Sequence, residues 1–118
     1  MKLIYVAGPY RAASEWQVTI NIREAEEAAL ALWRMGYAVI CPHKNTAFFG
    51  GACPDEVWLA GDLEMLARCD AIYPLPRWGD SAGARAEVAE AARLGKSILW
   101  TMEAAREYLD PAGLVNET

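Results

Sequence analysis

Residues 78–87 read Trp-Gly-Asp-Ser-Ala-Gly-Ala-Arg-Ala-Glu, a run whose residue types fit one chemical task. Its small residues let a ligand approach the backbone. The run joins the end of an apolar strand to the start of a helix, and a helix N-terminus offers unpaired N–H groups to an anion. Ser81 adds a hydroxyl, which serves equally well as the cap of that helix. Six residues later Glu87 lies about a turn inside the helix, pointing back over its mouth. It neighbours the inward set Ala84, Val88 and Ala91, and the helix dipole favours its ionised form. A carboxylate kept charged can attack the anomeric carbon of a sugar. Beside an anion cradle, it points to a phosphorylated, cleavable small molecule. The competing reading is a solvated surface glutamate.

Asp62 is a second anomaly. The helix that carries it is expected to bury Trp58, Leu59, Leu63 and Leu66, and Asp62 falls inside that stripe. A carboxylate buried without a partner is costly, so Asp62 caps a loop, pairs with an arginine, or faces the same cleft as Glu87 as an acid. Tyr5 sits in the first strand; if buried, its hydroxyl needs a partner, and a pocket carboxylate is one. Gly8-Pro9-Tyr10-Arg11 follows that strand like a shortened phosphate loop, without the spacing of either standard phosphate motif. Arg11 suits a phosphate better than a lysine does. Trp78 flanks the cleft, placed to stack on a base. His43 is the only histidine, so no metal cluster is built around it, and it reads as a loop residue. Without a second histidine-bearing motif, Ser81 is a poor nucleophile.

Alternating elements must position these groups. Leu3–Ala7 reads as a buried strand closed by Gly8-Pro9. Ser14-x-x-Gln17 has capping-box form and opens a helix with Val18, Ile22, Ala25, Ala29 and Leu32 on one face, ended by Gly36. Residues 37–41 form a second strand stopped by Pro42. Residues 43–53 read as a loop whose Phe48 and Phe49 cover a pocket. A helix runs from Pro54 to about Arg68, a strand over 70–75, a helix over roughly 83–94, a strand over 97–100 and a weak helix over 104–109. Strands alternating with helices imply a parallel sheet covered on both faces, with ligands beyond the strands' C-terminal ends.

Bulk properties narrow the class. The chain has 118 residues and is expected to form one domain, residues 1–118. A net charge of −5 argues against a broad nucleic-acid-binding face. No apolar run approaches the roughly 20 residues of a membrane span. Met1-Lys2-Leu3 enters a strand without a secretory leader pattern. Cys41, Cys53 and Cys69 lack metal-type spacing and read as reduced thiols in a cytoplasm.

Ile4-Tyr5-Val6-Ala7-Gly8-Pro9, Gly61-Asp62-Leu63 followed by Cys69-Asp70-Ala71, and Ser81-x-Gly83-x-x-x-Glu87 together resemble the nucleoside 2-deoxyribosyltransferase-like superfamily. The match covers about residues 3–100. Ala7-Gly8-Pro9 with Trp78-x-x-Ser81-x-Gly83-Ala84-x-x-Glu87 is most similar to an uncharacterised bacterial and phage branch. The resemblance implies a three-layer Rossmann/flavodoxin-like α/β sandwich, with a parallel sheet of four to five strands and helices on both faces. It implies Glu87 as nucleophile on C1′ of a 2-deoxyribosyl group, Asp62 assisting departure of the base, and Tyr5 orienting the nucleophile, with no cofactor or metal.

Substrate contacts are then expected from Gly8, Pro9, Tyr10, Arg11, Trp78, Asp80, Ser81 and Gly83. The transferases carry an aspartate six residues before the nucleophile. The deoxynucleoside 5′-monophosphate N-hydrolases carry a serine there that helps hold the phosphate. Ser81 occupies that position and favours the hydrolase branch; Asp80 is adjacent, and a shifted loop presents it instead. The Gly-Pro-Tyr-Arg loop departs from the Gly-Ser-rich loop of the hydrolases. The partner is a nucleotide or nucleoside, not a nucleic acid polymer or membrane. A homo-oligomer is implied, a dimer or higher, in which Val115-Asn116 of one chain completes the neighbour's site. A deoxyribosyltransferase and a non-catalytic nucleotide-binding module are the alternatives.

Overall fold

The computed structural model describes residues 1–110. Within them β1 (Leu3–Ala7), β2 (Ala38–Ile40), β3 (Ala71–Pro74) and β4 (Ser97–Ile98) form one parallel sheet in the order β2-β1-β3-β4. The helices are α1 (Glu15–Met35), α2 (Pro42–Asn45), α3 (Asp55–Ala67), α4 (Ala82–Arg93) and α5 (Met102–Leu109), with a 3₁₀ turn over Trp78–Asp80. From β1 the chain crosses to one side for β2 and to the other for β3. The crevice beyond the C-terminal ends of β1 and β3 is therefore where this sheet accepts a ligand.

The long first helix forms where its caps direct. Ser14 Oγ accepts from the Gln17 N–H at 3.1 Å. At the other end Gly36 takes a left-handed φ of 110° and donates its N–H to Leu32 and Trp33. Ile22, Ala25, Ala28, Ala29 and Leu32 are buried along the face between. Of these, Ala25, Ala28, Ala29 and Leu32 join Ile4, Val6, Tyr37, Tyr73, Leu99 and Ala105 in the larger core, closed by α5. Burying side chains such as Ile4 and Leu32 stabilises the fold by about 1.5–3 kcal/mol each. The opposite face of the sheet carries a smaller core of Tyr5, Ala7, Leu66, Cys69, Ile72, Val88 and Ala91 under α3 and α4.

Four differences from the sequence expectations have physical causes. The four strands fall within the expected four to five, but β2 and β4 are shorter than expected. Tyr37 lies before β2, buried, with its hydroxyl donating to the Ala105 carbonyl. Residues 43–53 are not simply loop: Pro42 fits the first turn of a helix, whose missing N–H costs nothing there, and α2 forms with His43 buried. The expected stripe of α3 is covered unevenly. Leu66 is buried and Leu63 packs half-buried against the core, while Trp58 is half-buried and Leu59 is 41% exposed, because only the C-terminal part of α3 reaches the sheet. The last helix starts at a Thr101 cap, whose Oγ accepts from Ala104 N–H, and so precedes the expected Ala104. Val115 and Asn116 lie outside the described residues.

Candidate functional site

β1 alternates, so Tyr5 points to the α3/α4 side of the sheet, where α4 brings Glu87 down onto it. Tyr5 is fully buried and Glu87 is 8% exposed. The Tyr5 hydroxyl donates to Glu87 Oε2 at 2.5 Å. Burial pushes Glu87 from 4.5 up to about 7, against the lowering effect of that hydrogen bond, and the charge of Asp62 raises it further. Burial and then the Glu87 carboxylate push the Tyr5 phenol upward, so it stays a donor. Asp62, half-buried on α3, is pushed by burial from 3.8 to about 6. The three side chains that the sequence singled out for chemistry meet on one side of the sheet, and Asp62 acts electrostatically on both others.

Glu87 and Asp62 line a cleft of about 540 Å³. Of the expected contact residues, Gly8, Pro9, Tyr10, Arg11, Asp80, Ser81 and Gly83 line it too. Trp78 does not. Its ring packs on Trp100 with centroids 5.5 Å apart. Gly8 is glycine for a packing reason, since a Cβ there would lie 2.4 Å from Leu75 Cδ1. Arg11 forms an ion pair with Asp55, with both side chains largely exposed. Ser81 caps α4, its Oγ accepting from Ala84 N–H at 3.1 Å, while its own O–H remains a donor. Ala82 and Gly83 sit in the first turn of α4, whose N–H groups have no partner within the helix.

Three residues that tie the rim together escaped the sequence reading. Asn21 is 2% exposed in the middle of α1. Its Nδ2 donates to the Tyr10 carbonyl at 3.0 Å, and its Oδ1 accepts from Arg77 at 2.7 Å and Gln17 at 3.1 Å. Arg77 also donates to Glu24. His43 Nε2–H donates to the Pro9 carbonyl at 2.8 Å. Burial holds its imidazole below the ordinary value, outweighing the neighbouring carbonyls of Pro9 and Gly8. The loops after β1, β2 and β3 are thus cross-linked by side chains. The legible signal was Asn21, a polar residue next to Ile22 in the inward face of α1.

Among the described residues no three His, Cys, Asp or Glu side chains converge to hold a metal ion. No helix among them is long and apolar enough to cross a membrane.

The profile of the family described as "Domain of unknown function (DUF4406)" matches residues 2–100. The chain belongs to this family. Two solved structures share the fold of this DUF4406 chain. One is a 2-deoxyribosyltransferase from the psychrotolerant bacterium Bacillus psychrosaccharolyticus, with TM-score 0.63 and 22% identity over 81% of this chain and 69% of that one. The other is a 2-deoxyribosyltransferase from Leishmania mexicana, with TM-score 0.59 and 22% identity over 84% of this chain and 63% of that one. No curated protein matches the DUF4406 chain. The α/β fold with its four-stranded parallel sheet is the deoxyribosyltransferase fold, as the sequence resemblance implied.

Proposed function

We propose that this protein cleaves the N-glycosidic bond of a nucleoside-type small molecule, with Glu87 as nucleophile and Asp62 as acid. The single observation that carries the reading is the buried Tyr5–Glu87 hydrogen bond in a cleft shared with Asp62. A structural glutamate has little reason to be buried with a second carboxylate acting on it, whereas a glycosidic site uses two carboxyl groups in different protonation states. In the first step a Glu87 oxygen bonds to C1′, the C1′–N bond breaks, and the base nitrogen takes the electron pair and a proton from Asp62. In the second, the Asp62 carboxylate takes a proton from water as its oxygen attacks C1′, releasing the sugar and freeing Glu87. A second base in place of water gives transfer, the alternative supported by the fold shared with two deoxyribosyltransferases.

The carboxyl pair must hold one proton. Burial raises both carboxyls, Asp62 to about 6 and Glu87 to about 7, so activity is expected to follow a bell between the pair's two protonation steps. It falls in acid as the pair takes a second proton and in base as it loses its only one.

The charge of the cleft bears on the substrate. Asp55, Glu56, Asp62, Asp80 and Glu87 all line it, while the lining arginine, Arg11, is engaged by Asp55. That balance supports an uncharged nucleoside. Hydrolysis of nucleoside 5′-monophosphates is the second reading, supported by the free Ser81 O–H and the first turn of α4. Three free cysteines suit a reducing cytoplasm, and the uncovered residues of α3 support association with a second copy.

The deciding assay offers each deoxynucleoside, and separately each 5′-monophosphate, and measures released base. Wild type is expected to release base from the nucleosides. Glu87→Ala is expected to lose at least about 10³-fold and Asp62→Asn about 10²–10⁴-fold. Equal rates for wild type and Glu87→Ala would overturn the mechanism. Release that depends on an added base identifies a transferase, and ligand bound but unchanged identifies a binding module.

A further inference from the structure

Among the described residues, only two buried side-chain nitrogen or oxygen atoms have no hydrogen-bond partner: Trp58 Nε1 and His43 Nδ1. Both residues line the cleft, although they come from different elements, α3 and α2. Buried polar atoms are nearly always satisfied, so two orphans in the wall of one cavity call for a common explanation.

They are chemically complementary. The indole Nε1–H is donor only. His43 is fixed by its other nitrogen: the Pro9 carbonyl can only accept, so Nε2 carries the proton and the neutral ring leaves Nδ1 a bare acceptor. Their covers are linked as well. The Phe49 ring lies against Trp58 with centroids 6.0 Å apart, and the Tyr10 ring meets His43 edge-on at 5.9 Å. The Phe48 N–H donates to the Tyr10 hydroxyl at 2.9 Å and so joins the two. Phe48 is the one non-glycine described residue with a left-handed φ, 65°.

Trp58 also stands one helical turn before Asp62 on the same face of α3. Asp62 is the group proposed to protonate the leaving base, so Trp58 is on the side of the cleft where that base sits. We propose that Trp58 and His43 read the heterocycle of the substrate, the indole N–H donating to a carbonyl oxygen and the imidazole Nδ1 accepting from an N–H. The preferred ligand class is thus a lactam-type base, which carries both groups, over a base that offers neither. This inference rests on the glycosidic reading above for which end of the ligand lies there.

The test compares 2′-deoxyinosine, whose base has both groups, with purine 2′-deoxyriboside, whose base has neither. Binding is measured by calorimetry on the Glu87→Ala background, where turnover does not intervene. The lactam ligand is expected to bind at least about tenfold more tightly. Trp58→Phe removes the donor and keeps a ring. His43→Gln keeps a donor for Pro9 and displaces the acceptor from the Nδ1 position. Each is expected to pull the affinity ratio towards one, a readout that general loosening of the fold does not produce. A ratio near one in the Glu87→Ala protein, or one unchanged in both further variants, overturns the proposal. Base release by the protein with Glu87 intact is followed in parallel. Release without lactam preference removes the recognition proposal alone, and preference without release removes the cleavage reading alone.

Discussion

Ile4 and Val6 leave β1 on one side of the sheet, Tyr5 and Ala7 on the other, and the two sides are finished differently. Against Ile4 and Val6, α1 and α5 close a continuous apolar core in which even the Tyr37 hydroxyl is satisfied by a backbone carbonyl. Against Tyr5, α3 and α4 leave a cleft, and the groups they bring to it are carboxyls. The first side is what hydrophobic burial produces when nothing opposes it. The second retains Glu87 and Asp62 at pKa values shifted towards neutrality, an arrangement that costs stability and fits the chemistry proposed for them. Apolar packing and the proposed site thus fall on opposite sides of the same strands.

Three perturbations break or sharpen this contrast. The largest is Leu32→Ala in the closed core. Leu32 is fully buried, so the change is expected to cost about 2–5 kcal/mol by urea unfolding, while folded protein keeps its ligand affinity. An equal loss of affinity in the folded protein would mean that the two sides are not separable.

Next is Glu87→Gln, which is expected to stabilise. The folded pKa of Glu87 is raised from 4.5 to about 7, so the wild type has its full relative stability below about pH 4.5 and loses it as pH rises through 7. Glutamine cannot ionise and still accepts from Tyr5. At pH 8 the variant should gain up to roughly 3 kcal/mol over wild type, shrinking to nothing near pH 4.5. Asp62 contributes in the same direction and by less, since solvent reaches it. A variant no more stable than wild type at pH 8 contradicts the assignment of Glu87 as a strained group.

The smallest is Leu59→Ala on the uncovered part of α3, where a change within about 0.5 kcal/mol is expected. A loss several times larger, together with a fall in apparent mass by light scattering, would show that a second copy covers α3 in solution.

The elements with local signals were legible. Ser14, Gly36 and Ser81 are caps whose chemistry acts within one turn, and they set the ends of α1 and the start of α4. Glu87 was legible because it shares a period with Ala84, Val88 and Ala91. Asp62 was legible by the same periodicity, yet the stripe that made it conspicuous leaves Leu59 exposed: amphipathic spacing says which residues share a helix face, not how completely that face is covered. His43 and Trp78 went the other way. The first was read as loop and is buried beneath the Pro9 loop, and the second was assigned to the cleft and packs on Trp100. Both depend on partners more than 20 residues away, which no local pattern encodes. Asn21 belongs with them, since its meaning comes from Tyr10 and Arg77 arriving at one point.

By itself the sequence determined the alternation of strands and helices, which residues share a face, and which acidic residues stood out of place. Those follow from periodicity, capping and the cost of burying charge, all of which act over a few residues. Only the tertiary structure decided that the Tyr5 hydroxyl meets Glu87, that Gly8 is required by Leu75, and that two residues with unsatisfied buried nitrogens line one cleft. Those contacts join residues far apart in the chain, and they exist only once the crossovers of the parallel sheet bring the loop ends to a single edge.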